Sequence, residues 1–400
     1  MSKKVADKGS PERLTQIAPI VRGLLAEATG EPDMPYKPVI LKSLTGREAI
    51  DFAGSAKNAE AECYPSPLTK GRKPPLFPDA LDVNGPVEEL RKQLSQAVSD
   101  YSSEHNCKPE VVCFREMGIL YVERNDDDGD AHLPLCNKVA LVTGAAGAIG
   151  FGICCGLLEK GCHLAATDLP GEKLDSFTAD LKQIAGDRVM GTAIDVTSEE
   201  SVTEGFESVI QTWGGIDIVV VNAGIPLVTY LKDMDLDAFR KLEKVNVEGT
   251  LLTLREIANH FILQGTGGDI VIVSTKNVPC PGASFGAYSA TKAAAHQLGR
   301  IASLELAPHG VRVNMVAPDG VFSEGNYRSG LWAQVGPDRM RARGLDEEGL
   351  QEYYQNRNLL KARITGRHVS NAVLFFATRQ TPTTGVTIPV DGGLPDATPR

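Results

Sequence analysis

Four hundred residues exceed one average domain and leave room for two, each with its own core. The apolar fraction of 42% and charged fraction of 23% are those of a globular chain, and a net charge of −10 argues against nucleic acid or an acidic membrane, so a small metabolite is the default partner. Eight cysteines without a C-x-x-C pair imply a reducing compartment and no structural zinc. The first residues carry no signal-peptide core and no run nears the ~20 apolar residues of a membrane span, so the cytoplasm is the expected location.

In chain order, residues 1–134 read as a smaller, accessory α+β domain. Helical spacing covers 13–28 and 87–102, the proline- and lysine-rich stretches at 35–38 and 64–86 read as extended, and Val111–Phe114 and Gly118–Val122 read as strands. The acidic run 126–130 reads as a solvated linker. With Gly129 at the sixth position of a calcium loop, Arg124 would be first and Leu135 twelfth, and neither ligates calcium. From Asn137, apolar runs at Val139–Val142, His163–Asp168, 189–195, 216–222, 269–275 and 311–316 alternate with helix-length segments. This is the pattern of an α/β doubly wound parallel sheet of the Rossmann type over 135–400, whose strand carboxyl ends line one ligand-binding edge.

The run Val139–Val142 breaks at Thr143-Gly144 and an apolar helix follows from Ala148, so Gly144, Gly147, Ala148, Ile149 and Gly150 offer a glycine turn and a helix N-terminus to a pyrophosphate. The G-x-G-x-x-G fingerprint is absent. Asp168 lies about twenty residues further on, where a carboxylate accepts from an adenosine ribose and repels a 2′-phosphate; with no Arg or Lys at 145–149 or at Leu169, NAD is expected over NADP. Tyr288 and Lys292 stand four apart in the alanine-rich, helically spaced segment 289–305 and so share a face. A free tyrosine has a pKa near ~10, and a nearby ammonium with the positive charge of an oxidised nicotinamide favours its phenolate, which suits Tyr288 to proton exchange.

Over 137–393 these motifs resemble the short-chain dehydrogenases/reductases. The turn from Thr143 to Gly150 is similar to the family's TGxxxGxG, with the middle glycine at Gly147 rather than at Ala148. The resemblance implies that Asp195-Val196 is the adenine contact, that Asn222-Ala223-Gly224 is the NAG turn beside the cofactor, and that Tyr288 and Lys292 are catalytic and also touch the cofactor. It places the substrate-holding hydroxyl about thirteen positions before the tyrosine, at Thr275 with Ser274 beside it. Alternation along a strand lets one of the two face the nicotinamide, and the count favours Thr275. Asn246, in VNVEG, matches the fourth catalytic position, with a water relay to Lys292 as its implied role. Pro318, Asp319, Gly320 and Val321 stand where the family has Pro-Gly, and Asp319 is expected to reach the nicotinamide ribose or carboxamide. Direct hydride transfer needs no metal. The stretch 322–361, with Arg328, Trp332, Arg341, Arg343, Tyr353, Tyr354, Asn356, Arg357 and Asn358, has the length and donors of a lid for a polar, hydroxylated or anionic substrate, and a solvated helix face over 346–356 accounts for several of these residues equally well.

More narrowly, STKN, APDGVF, GLQEYYQNRNLLK and VDGG resemble the dehydrogenase half of the bifunctional rhamnulose-phosphate aldolase/lactaldehyde dehydrogenases. Residues 63–77 and 111–121 resemble the tail of that fusion's class II aldolase domain, but only His105 and His132 stand nearby for a metal site that needs several histidines, so the front segment reads as a degenerate remnant. The expectation is an NAD-dependent oxidoreductase acting on a small polyhydroxylated substrate (a sugar, sugar acid or hydroxyaldehyde such as lactaldehyde) as a homodimer or homotetramer. Two other readings stay open: a non-catalytic NAD-binding sensor or scaffold, and a bifunctional enzyme that keeps aldolase activity.

Overall fold

The computed structural model describes residues 12–55, 64–68, 72–78, 81–82, 85–124, 132–323, 327, 332, 336–337, 340–341 and 344–395. The linker at 126–130, Cys63, Arg328 and Arg343 lie outside the described residues. The chain forms two compact units, one from Met1–Asp128, Glu207–Ile216 and Ile262–Thr266, the other from Gly129–Phe206, Asp217–Phe261 and Gly267–Arg400.

In the first unit, α1 (Glu12–Leu25) turns Leu14, Ile17, Val21 and Leu25, spaced three and four apart, into a core shared with Leu90, Leu94 and Val98 of a later helix. A two-residue pair follows, β1 (Glu27–Ala28) with β2 (Tyr36–Lys37), then β3 (Leu41–Leu44), α2 (Arg47–Ser55) and that later helix, α3 (Val87–His105). β4 (Val111–Phe114) and β5 (Gly118–Val122) complete an antiparallel sheet in the order β3-β5-β4. Two pieces of the dehydrogenase part of the sequence join this core: Ile210 is buried in it, and Gln264 Oε1 accepts from the fully buried Arg22 at 3.1 Å.

The second unit carries a wholly parallel seven-stranded sheet. Its strands are β6 (Val139–Val142), β7 (His163–Asp168), β8 (Val189–Ala193), β9 (Ile218–Val221), β10 (Gly268–Val273), β11 (Val311–Pro318) and β12 (Thr387–Val390), in the order β12-β11-β10-β9-β6-β7-β8. The order reverses between β6 and β9, and that switch point is where an open α/β sheet binds ligands. Residues of β6, β9 and β10 are buried throughout, the mark of strands covered on both faces. The connecting helices are α4 (Ala148–Glu159), α5 (Glu172–Ala185), α6 (Glu199–Trp213), α7 (Leu236–Glu243), α8 (Gly249–Gln264), α9 (Gly286–Leu306), α10 (Glu347–Asn356) and α11 (Gly366–Ala377).

The Rossmann-type sheet expected from the sequence is therefore present. Three strands stop short of their expected ends because the chain leaves the ladder there: 189–195 narrows to β8, 216–222 to β9 and 269–275 to β10, freeing Asp195, Asn222, Ser274 and Thr275 for the edge. α4 is apolar on all sides and meets α11 backbone to backbone. A Cβ on Gly152 would lie 2.2 Å from the Gly366 carbonyl carbon, and one on Gly156 2.0 Å from Ser370 Oγ.

Candidate active site

At the end of β6, Gly144 takes a left-handed φ of 60°, and a Cβ there would lie 2.7 Å from Ala223 Cα, so both dihedral and space call for glycine. Thr143 Oγ1 accepts from Asn222 N at 3.0 Å and Ala223 N at 3.1 Å. Asn222 Nδ2 returns bonds to the carbonyls of Thr143 at 3.1 Å and Gly144 at 2.7 Å. The turns after β6 and β9 are thereby locked together. Asp168 closes the other side: its Oδ2 accepts from Ala146 N at 3.0 Å and its Oδ1 from Leu169 N at 2.9 Å.

Gly147 caps α4 with extended dihedrals, and a Cβ there would meet nothing within 4 Å; one on Gly150 would strike the Ala145 carbonyl oxygen at 2.1 Å. The displaced glycine thus faces open space, while Ala148 is buried and Ile149 half-buried. The first turn of a helix carries N–H groups with no acceptor inside the helix, and its dipole favours an anion. The cradle therefore fits a dinucleotide's phosphates, with Asp168 beside it. Lys173, on α5, brings its Nζ within 3.6 Å of Asp168 Oδ2, a cation the sequence reading did not weigh. Asp195 accepts from Thr197 N at 2.9 Å and Thr197 Oγ1 at 2.7 Å, and Val196 is buried where a Cβ on Gly249 would lie 2.7 Å from its Cγ2.

α9 places Tyr288, Lys292 and His296 at four-residue intervals, along one face of the helix. Burial pushes the Tyr288 phenol up to about 12, and the neighbouring Thr275 side chain opposes that rise. Lys292 is buried, donates from Nζ to the Val273 carbonyl at 2.6 Å, and is pushed down to about 8 by burial. Help from the lysine charge was expected for the phenol; in this structure the group that lowers Tyr288 is Thr275. Ser274 has a different partner, since its Oγ pairs with His296 Nδ1 at 2.9 Å, while Thr387 Oγ1 pairs with His296 Nε2 at 3.4 Å. His296 sits below its ordinary pKa through burial and then the charges of Arg300 and Lys292.

Asn246 stands in a π-helical turn, Lys244–Glu248, between α7 and α8. Its Oδ1 accepts from Ile225 N at 2.9 Å, and its Nδ2 donates to the Ile225 carbonyl at 3.0 Å and to Thr291 Oγ1 at 3.2 Å. A Cβ on the exposed Gly224 would lie 3.1 Å from Asn246 Oδ1 and 3.9 Å from Lys292 Nζ, so the Gly224 turn brings exposed backbone close to both side chains.

After β11, the Pro318 carbonyl accepts from Lys276 N at 3.1 Å, which ties this turn to the one carrying Thr275. Asp319 gives both carboxylate oxygens to Arg357: Nε reaches Oδ2 at 3.1 Å and Nη2 reaches Oδ1 at 2.5 Å. The guanidinium lies over the Tyr354 ring, 4.0 Å from its centroid. A Cβ on Gly320 would touch Tyr354 and Trp332 at 3.1 and 3.3 Å, and Trp332 Nε1 donates to the Val321 carbonyl at 2.7 Å.

The structure thus brings Gly144, Gly147, Asp168, Asn222, Ala223 and Gly224 to the β6/β9 edge, and Asn246, Thr275, Tyr288 and Lys292 to the adjoining end of β10. Leu169 is exposed, Val321 is buried, and Ser274 is engaged away from Tyr288. Thr143 was read as part of the turn but without its role in locking Asn222; missed from the sequence were Thr291, His296 and the Asp319–Arg357 pairing, and of these only His296 left a legible signal, the i+4 continuation of Tyr288 and Lys292. Among the described residues no three His, Cys, Asp or Glu side chains gather to hold a metal ion, and no helix is long and apolar enough to cross a membrane.

A family model described as short chain dehydrogenase matches residues 138–332. An uncharacterized oxidoreductase of Bacillus subtilis is 35% identical over 66% of this chain, which spans 38% of that relative's length. The (-)-isopiperitenol/(-)-carveol dehydrogenase of Mentha piperita is 32% identical over 65% of this chain and 94% of its own. Relatives 27 to 29% identical carry the names glucose 1-dehydrogenase, sorbitol-6-phosphate 2-dehydrogenase and L-rhamnose 1-dehydrogenase. The solved sorbitol-6-phosphate 2-dehydrogenase of Erwinia amylovora is 27% identical, with a TM-score of 0.59 over 64% of this chain and 98% of that one.

Proposed function

The chain belongs to the short chain dehydrogenase family, as an oxidoreductase that takes a nicotinamide cofactor, and from that premise we propose that it interconverts an alcohol and a carbonyl on a small polyhydroxylated substrate with NAD. The observation that carries this reading is the placement of Tyr288 and Lys292 one turn apart on α9, with Lys292 Nζ bonded to the Val273 carbonyl at the end of β10 and Thr275 the neighbour that lowers the Tyr288 phenol. The names of the sugar and polyol relatives support the substrate class.

A nicotinamide cofactor would supply or accept the hydride when bound. Gly144, Gly147, Ala148, Ile149 and Gly150 would hold its phosphates, Asp168 with Leu169 the adenosine ribose, Asp195 and Val196 the adenine, and Asn222 through Gly224 with Pro318, Gly320 and Val321 the remainder. Thr275 holds the reacting oxygen, Tyr288 exchanges its proton, and Lys292 grips the nicotinamide ribose. Asn246 is a positioning residue, fixing the Gly224–Ile225 turn against α9 beside Lys292 and supporting proton relay there. NAD is favoured because Asp168 stands at the ribose position; Lys173 works against that preference from an exposed site.

The test is a screen of purified protein against sugars, sugar acids, polyols and lactaldehyde, the last because of the likeness to aldolase/lactaldehyde dehydrogenases, with NAD and NADP in parallel and nicotinamide absorbance as readout. Tyr288→Phe should keep cofactor binding and lose turnover by at least about 10²-fold; an unchanged kcat overturns the assignment. Exposed Leu251 on α8 and Ile301 and Leu304 on α9 support a homodimer or homotetramer, which light scattering on the eluted protein would reveal.

A further inference from the structure

We propose that the Asp319–Arg357 pair makes the substrate site selective for uncharged polyhydroxylated molecules over their phosphorylated or carboxylated analogues, an inference that rests on the functional reading above. A lone arginine at the mouth of a sugar site would attract an anion. Arg357 is not alone: Nε and Nη2 both bind the Asp319 carboxylate, and the ring of Tyr354 lies under the guanidinium. Side-chain exposures of 23% for Arg357 and 10% for Asp319 leave the pair largely shielded from solvent. An arriving anion must therefore break a bidentate charge-assisted pair, or sit beside a carboxylate.

Placement gives the pair its role. Asp319 directly follows Pro318, whose carbonyl holds Lys276 N, the residue after Thr275; Asp319 N is itself held by the Val390 carbonyl at 3.2 Å. The carboxylate is thus fixed beside the reacting end of β10 and β11, at the foot of the 346–358 segment. A shallow open groove lies beside Arg357, lined by Leu345, Gly349, Glu352, Tyr353 and Asn356. Its lining adds an acid, a phenol and an amide; all three can bond hydroxyls, and the acid repels a phosphate.

Isothermal titration calorimetry on the full chain, with NADH present, tests this using sorbitol and sorbitol 6-phosphate as probes. Wild type should bind the phosphate no more tightly than sorbitol. Asp319→Asn, close in shape to the native residue, releases the guanidinium and should tighten sorbitol 6-phosphate by about tenfold or more, and adding Arg357→Gln should erase that gain. Arg357→Lys, which keeps the charge without the fork, should give a smaller gain in the same direction and serves if Asp319→Asn is poorly folded by circular dichroism. A wild-type preference for the phosphate, no gain in the single variants, or a gain that survives in the double variant overturns the proposal. Absence of turnover with every neutral polyol, alongside the expected calorimetric pattern, would sink the functional reading and leave this one standing.

Discussion

Burial disfavours the charged form of both groups that the site needs charged at some stage, taking the Tyr288 phenol up to about 12 and the Lys292 ammonium down to about 8. Thr275 is the neighbour that opposes the first shift, so Thr275→Val should raise the phenol further. In alcohol oxidation the rising limb of the kcat/KM profile should move to higher pH, with a loss of about 10²-fold at neutral pH; a profile that only falls, without moving, would reduce Thr275 to a substrate contact. Lys292 gives a prediction about stability with a definite sign. Its folded pKa lies below its unfolded value of 10.5, so between pH 8 and 10.5 the unfolded chain binds more protons and stability rises with pH; the contribution is lost as pH falls through 8. Relative to Lys292→Met, the wild type without cofactor should gain roughly 1–3 kcal/mol of unfolding free energy between pH 7.5 and 9.5, measured by denaturant titration. Equal slopes for the two proteins would show that the amine is not buried. The spacing of Thr275, Tyr288 and Lys292 was legible because one strand end and one helix fix it. The choice between Thr275 and Ser274 was not, because the partner of the Ser274 hydroxyl, His296, lies twenty-two residues away.

Secondary structure was legible where burial makes a run uniform and obscure where it does not. β9 and the Ile270–Val273 part of β10 are unbroken apolar runs; β3, with a single buried residue, and the nine-residue α2 have no such signature and went unread. The π-helical turn at Asn246 has no local code either, since its side-chain bonds reach Ile225 and Thr291, in elements distant in sequence. Two glycines of the cradle and its helix separate architecture from binding. Gly152→Ala forces a methyl against the Gly366 backbone and should cost about 1–3 kcal/mol, seen as a lower denaturation midpoint. Gly147→Ala meets no protein atom within 4 Å, so the fold should keep its midpoint while NAD affinity falls by about tenfold or more, because the added methyl occupies the space offered to the phosphates. Should Gly147→Ala bind NAD as wild type does, the pyrophosphate lies elsewhere.

At the scale of the whole chain, the division expected near residue 134 is a division of sequence more than of core. The first unit includes Glu207–Ile216 and Ile262–Thr266, so α6 and α8 each begin in one unit and end in the other. Composition cannot foretell this, because the residues involved are ordinary members of amphipathic helices until the front segment covers them. Ile210 is buried among Leu14, Leu41 and Leu94, and Gln264 is buried with its Oε1 bonded to Arg22 and its Nε2 to the Ile216 carbonyl at 3.0 Å. Gly23 admits no side chain because a Cβ would lie 1.9 Å from the Gln264 carbonyl oxygen, and Gly214 is similarly closed by Leu41 at 2.4 Å. Deleting residues 1–128 would therefore uncover Ile210 and Leu263 and strip the amide of Gln264 of a buried partner, a combined loss of several kcal/mol from apolar exposure and an unsatisfied polar group. The truncated chain should keep every residue of the dinucleotide cradle and the Tyr288–Lys292 pair, yet unfold at a much lower temperature and bind a hydrophobic dye at temperatures where the full chain does not. A truncated protein with the full chain's midpoint would mean that the front segment is an appendage, and that the buried Arg22 contributes nothing to the helices it touches.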